Sequence, residues 1–173
     1  MNNLSGSGNN NFERLFRQHK NSIYNYALMM TGNKDNAGDI AQEVFLRLFE
    51  QVKNNSHIDN IKSWLFIIAR NLCLNHKRDH QREIAIDIES GRPGISSNPS
   101  DGRIFTLRQA IQNLDSKYRE ALILKEYQGF SYMEIAAILN TTIPAIKSIL
   151  FRARVSLREE YDNLIKKGEL YGL

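Results

Sequence analysis

The sequence predicts an all-α protein made of two small helical domains joined by a flexible linker, and three observations carry that prediction. Apolar residues recur at helical spacing over residues 12–82 and again over about 104–167. The stretch between them contains SGRPGISSNPSDGR, whose Gly, Pro and Ser content cannot hold regular structure or supply a core. No strand-like alternation and no internal repeat interrupts the pattern. The chain divides accordingly into a polar tail at 1–11, a first domain at 12–82, a linker at 83–103, a second domain at 104–167 and a short tail at 168–173.

The opening MNNLSGSGNNN is polar and rich in Gly, Ser and Asn, which predicts disorder and excludes a signal or transit peptide. The first helix runs from Phe12 to Met30 on Phe12, Leu15, Phe16, Ile23, Tyr24, Ala27 and Leu28, and Thr31-Gly32-Asn33 ends it. A second, about Lys34 to Val52, sets Ile40, Val44, Phe45, Leu48 and Phe49 on its buried stripe. Asp39, Gln42, Glu43 and Arg47 point elsewhere. After the polar loop KNNSHIDN, a third helix covers about Ile61 to Arg82. Trp64, Leu65, Ile68 and Leu72 are expected on its apolar side, opposite Lys62, Arg70, Asn71, Asn75, Lys77 and Arg78.

In the second domain, FSYMEIAAILNTTIPAIKSILFRAR holds two short amphipathic segments around Asn-Thr-Thr. Ile135, Ala136, Ile138 and Leu139 share one stripe; Ile146, Leu150, Ala153 and Leu157 share another. Asn140 suits the left-handed residue of a tight reversal, and a hydroxyl of Thr141 or Thr142 suits the next cap. Pro144 falls in the first turn, where its missing N–H costs nothing. This is a helix-turn-helix, whose second helix ordinarily reads a major groove. Lys147, Ser148, Arg152, Arg154 and Arg158 give that helix an outer face of phosphate and base-edge donors with no acid before Glu159. A generic helical hairpin is the weaker reading, because a solvated face ordinarily mixes signs.

Composition agrees. In 173 residues, 42% hydrophobic content suffices for modest cores, and a net charge of +4 suits a polyanionic partner. The single cysteine excludes an internal disulfide framework and fits a reducing cytoplasm. No apolar run approaches the roughly 20 residues of a membrane span. Cys73, His76 and His80 lie at helical spacing, but one helix supplying three ligands lacks a fourth, so no metal site is expected. No phosphate-binding Gly-rich loop and no nucleophile-base arrangement argues for an enzyme, and no cofactor is expected.

The segments DIAQEVFLRLFEQV, IKSWLFIIARNLCLNHKR and FSYMEIAAILNTTIPAIKSILFRARVSLR, in that order, resemble the extracytoplasmic-function (ECF) sigma factors of bacterial RNA polymerase, over about Phe12 to Tyr161. The resemblance implies a promoter-melting region two and a promoter-reading region four on a loose linker, in a cytoplasmic bacterial protein without catalytic activity. It implies that Asp39, Gln42, Glu43 and Arg47 dock on the clamp coiled coil of core polymerase, whose beta and beta-prime subunits are the expected partners. Asn54, His57, Asp59 and Asn60 then capture a base flipped from the minus-ten element, at a cost of a few kcal/mol. Lys62, Arg70, Asn71, Asn75, Lys77 and Arg78 follow the single strand, so melting draws on binding energy alone. Trp64 is either a stacking platform or core, and its expected register favours core.

Lys147, Ser148, Phe151, Arg152 and Arg154 match the family's contacts to the minus-thirty-five duplex. Family members often carry a basic residue where this chain has Ile149, which predicts weak base reading there and a dependence on the minus-ten element or on another DNA-bound recruiting protein; the alternative is that Ile149 is partly buried in the domain and reads nothing. An anti-sigma factor is a further implied partner. The competing class, a helix-turn-helix regulator that does not replace a sigma factor, explains residues 130–158 and leaves 34–82 without a role.

Overall fold

The computed structural model describes residues 5–54, 57–84 and 102–171, with side chains placed at 10–54, 57–76 and 103–167. These residues form seven α-helices and one π-helical turn, with no strand among them. The chain divides into two compact units, Met1–Pro93 and Gly94–Leu173. The expected linker lies mostly outside the described residues.

In the first unit α1 (Ser5–Thr31), α2 (Lys34–Lys53) and α3 (Ile61–Ile84) pack mutually. Helix α1 starts at Ser5, within the stretch expected to be disordered: a helix already nucleated and docked extends through weak helix formers at small cost per residue. It stops where Gly32 takes φ 69, a left-handed conformation that costs glycine little. Asn33 then caps α2, its Oδ1 accepting from the backbone N–H of Asp35 (2.8 Å) and Asn36 (3.0 Å).

The core joins Leu15, Ile23, Tyr26 and Ala27 of α1 to Ala37, Ile40, Val44, Phe45 and Leu48 of α2. From α3 come Leu65, Phe66, Ala69 and Cys73. Phe66 meets Tyr26 edge to face at 5.2 Å. This corrects the expected α3 stripe: Leu65 is shared, whereas Trp64, Ile68 and Leu72 are only half-buried. Residues 64–68 are all apolar, so spacing alone leaves the register open, and packing against both α1 and α2 selects it.

The second unit places α4 (Gly102–Asn113), α5 (Ser116–Leu122), a π-helical turn (Ile123–Tyr127) and α6 (Tyr132–Ile138) beside the long α7 (Ile143–Tyr171). Arg119 closes the α4–α5 corner by donating to the carbonyls of Ile111 (3.1 Å), Gln112 and Leu114 (3.0 Å), at and just past the end of α4, where helical partners run out. Burial pushes the Arg119 guanidinium below its ordinary value, against the opposing pull of Asp115.

The helix-turn-helix is as the spacing predicts. Ser131 and Glu134 form a reciprocal capping box at the start of α6. Asn140 has φ 50, and the N–H of Thr141 returns to the carbonyl of Ala136 at 2.9 Å, tying off the helix end. Thr142 Oγ1 accepts from the N–H of Ala145, and α7 leaves at 97° to α6. Ile135, Ala136 and Ile138 bury against Ile146, Leu150 and Ala153, as expected; Leu139 and Leu157 stay half-buried. Among the described residues no single helix is long and apolar enough to cross a membrane.

Candidate nucleic-acid interfaces

Three surfaces carry the residues singled out by the sequence. On α2, Asp39 and Gln42 are exposed opposite the stripe that packs into the core, while exposed Arg47 and half-buried Glu43 flank it. Arg47 Nε donates to Glu43 Oε1 at 2.8 Å, one helical turn away. That pair neutralises itself locally, so Asp39 carries the negative character of the face. Beside it runs an apolar groove of about 620 Å³ between α1 and α2, lined by Phe12, Phe16, Phe45, Leu46 and Phe49 with Gln42 at its edge. Phe49, expected in the core, is 42% exposed on this groove, where its ring meets Phe12 at 5.3 Å. The groove is built mainly from residues that the sequence assigns to the buried stripes of α1 and α2, and periodicity cannot show that part of each stripe is left uncovered.

The second surface is the α2–α3 loop with α3. Asn54 is the C-cap of α2. His57 and Asp59 are exposed, with His57 Nε2 to Asp59 Oδ1 at 2.9 Å. Asn60 Oδ1 accepts from the Ser63 N–H at 2.9 Å, so this side chain starts α3 as its cap. Residues 55 and 56 lie outside the described residues.

Along α3 the expected basic and amide face divides. Asn71 and Asn75 are exposed, on the sector that Trp64 occupies opposite Phe66. Lys62 and Arg70 flank the buried stripe and are half-buried. Lys62 stands near the buried His19, whose pKa is lowered first by burial, then by the charges of Lys62 and Arg14. The side chains of Lys77 and Arg78 lie outside the described residues, as does that of His80. No cluster of His, Cys, Asp and Glu among the described residues is arranged to hold a metal ion.

The third surface is α7. With Ile146, Ile149, Leu150 and Ala153 turned inward, Pro144, Lys147, Ser148, Phe151 and Arg152 are presented outward. Phe151 is 68% exposed. Ile149 is 8% exposed, so it belongs to the core and its identity carries no information about base reading. Arg154 has a partner that local spacing cannot reveal: its Nη2 lies 2.7 Å from Glu126 Oε1, across 28 residues of chain. The Glu126 hydrogen bond, with a lesser part from Tyr132, holds the Arg154 pKa above its ordinary value.

A three-helix unit and a unit carrying a helix-turn-helix thus follow one another on this chain. The Sigma-70 region 2 family matches residues 15–83 and Sigma-70, region 4 matches residues 104–157. The ECF RNA polymerase sigma factor SigM of Bacillus subtilis is 30% identical over 155 residues, 87% of this chain and 94% of SigM. EcfG of Rhodopseudomonas palustris, also an ECF sigma factor, is 34% identical over 79% of this chain and 77% of its own length. The sigma factor RpoE of Bartonella quintana, solved in complex with the anti-sigma factor NepR, superposes with a TM-score of 0.77 at 26% identity, covering 88% of this chain and 97% of RpoE. The chain therefore belongs to the ECF sigma factors. Its function is that of a sigma factor, a family that binds RNA polymerase and is not a family of catalytic enzymes; a stand-alone regulator is not favoured, since the likeness spans both units.

Proposed function

We propose that the two units divide the work of promoter recognition, with residues 12–82 engaging core polymerase and the melted minus-ten element and residues 104–167 engaging the minus-thirty-five duplex. The observation that carries this reading is the outward face of α7, where Lys147, Ser148, Phe151 and Arg152 project from a helix fixed by a buried stripe and a capped turn. Lys147 and Arg152 supply phosphate and guanine donors, and the Phe151 ring meets thymine methyls. Asp39, Gln42, Glu43 and Arg47 dock on the polymerase, with the apolar α1–α2 groove extending the contact.

His57 and Asp59 reach the flipped base, with Asn54 and Asn60 framing the loop. Asn71 and Asn75 track the strand beside Trp64, a half-buried ring on their sector whose exposed part stacks on an unpaired base. Lys62, Arg70, Lys77 and Arg78 add positive charge along the same helix. The chain works in the cytoplasm with its polymerase, and an anti-sigma factor, the class of partner with which RpoE was solved, masks these faces.

Run-off transcription with purified core polymerase tests the division. Asp39→Lys with Glu43→Lys should abolish core association while the variant keeps its helicity and thermal transition. Loss of both together would mean that the substitutions unfolded the chain. Replacing His57 or Asp59 by Ala should impair open-complex formation more than core binding, and a promoter already unpaired at the minus-ten element should restore part of the loss. No restoration would remove this loop from promoter melting.

A further inference from the structure

Arg154 lies seven residues beyond Lys147, close to two helical turns, so an ideal helix would present the two side chains on the same side. The structure does otherwise with Arg154. Its guanidinium is bound to Glu126 at 2.7 Å, and both side chains are about half exposed, 49% and 50%. Glu126 sits inside the π-helical turn, where Gln128 N–H reaches back to the Ile123 carbonyl and Phe130 N–H to that of Leu124. Such wide turns recur at functional sites because the inserted residue re-aims its neighbours. Gly129, at φ 70, lets the chain leave the turn. Lys125 Nζ donates to the Phe130 carbonyl at 3.2 Å and lies 4.9 Å from the centre of the Tyr132 ring. The π-helical turn and α7 therefore meet through Glu126 and Arg154.

We infer that Glu126 is an electrostatic restraint on DNA binding, holding Arg154 as a positioning residue between the π-helical turn and α7 instead of leaving it to a phosphate. The inference rests on the assignment of α7's outer face to duplex DNA. Its physical content is a count of charges. Each phosphate neutralised releases counterions and steepens the dependence of log K on log salt by about 0.9. A cation already paired with a carboxylate adds nothing to that count. Affinity is trimmed alike on every sequence while base-edge contacts are untouched, so the pairing sets how steeply salt weakens binding and leaves sequence preference unchanged.

The experiment is a salt titration, from about 50 to 200 mM, of holoenzyme carrying the full chain on duplexes with an intact or a scrambled upstream element. Arg152→Ala should flatten the slope by about 0.9, which is about 3.5-fold in affinity across that range. Arg154→Ala should leave the slope unchanged. Glu126→Gln keeps the side chain's size and should steepen the slope by about 0.9 on both duplexes, and adding Arg154→Ala should return it to the parental value. A gain of binding cannot arise from misfolding, so Glu126→Gln remains decisive even where Arg154→Ala weakens the fold. Arg154→Ala flattening the slope as much as Arg152→Ala, or Glu126→Gln bringing no gain, overturns the restraint and leaves the α7 interface standing. An unchanged slope for Arg152→Ala removes the interface assignment itself.

Discussion

Ile149 and Phe151 are two residues apart on α7 and face opposite ways, 8% and 68% exposed. Their replacement should separate folding from reading. Ile149→Ala deletes Cγ1, Cγ2 and Cδ1 from a site between Ile146 and Ala153 that is almost fully enclosed. At about 0.8 kcal/mol per buried methylene the transfer loss is about 2.4 kcal/mol, and a partly unfilled cavity raises the total to roughly 2.5–4 kcal/mol. In a unit of this size each kcal/mol moves the midpoint by about 4–8 °C, so the second unit should melt at least about 10 °C lower. Phe151→Ala removes a ring that is mostly in solvent and should change stability by no more than about 0.5 kcal/mol. Circular dichroism melts, with hydrogen exchange localised to α7, measure the first effect. The ratio of holoenzyme affinities for intact and scrambled upstream duplexes, taken below the lowered transition, measures the second. Ile149→Ala should leave that ratio unchanged, and Phe151→Ala should lower it several-fold. A melting shift under about 2 °C for Ile149→Ala, or a loss of discrimination in that variant while folded, would refute the assignment of Ile149 to the core.

Other perturbations probe the supports of the two units. Ser131→Ala breaks the capping box of α6 and should cost about 1 kcal/mol, read as a lower urea midpoint, whereas Ser131→Asp should retain most of it. Asn140→Gly should be tolerated at φ 50, and Asn140→Val should destabilise the turn by about 1–2 kcal/mol, measured in the same titration. His19, buried beside Lys62 and Arg14, has a folded-state pKa below its ordinary 6.5. The unfolded chain then binds more protons as pH falls below about 6.5, so stability drops on acidification and levels off once the folded state is protonated too. Urea midpoints at pH 7.5 and 5.5 should differ less in His19→Leu than in the parent chain; an equal difference would assign the acid sensitivity to other groups.

The sequence by itself determined the three helices of the first unit to within a few residues at most ends, the two-part division and the turn and stripes of the helix-turn-helix, because each is written in local terms. It did not delimit α4, α5 or the π-helical turn. Asn140, Thr142, Pro144 and the Ile135 and Ile146 stripes act over fewer than five residues, within reach of backbone propensity and helical period. The family was legible for the same reason, since its signatures are short segments in a fixed order. What escaped was set by distance or by competition between surfaces. Apolar residues run unbroken from Trp64 to Ile68, so only the simultaneous contact of α3 with α1 and α2 could choose Phe66, Ala69 and Cys73 for the core and turn Trp64 outward. Phe49 completes an apolar stripe on paper, and the tertiary structure spends it on the rim of a groove. Asn60 resembles a base-reading amide until the start of α3 recruits it as a cap. Arg154 resembles every other cation on α7 until the π-helical turn brings Glu126 against it, a pairing across 28 residues that helical periodicity cannot encode.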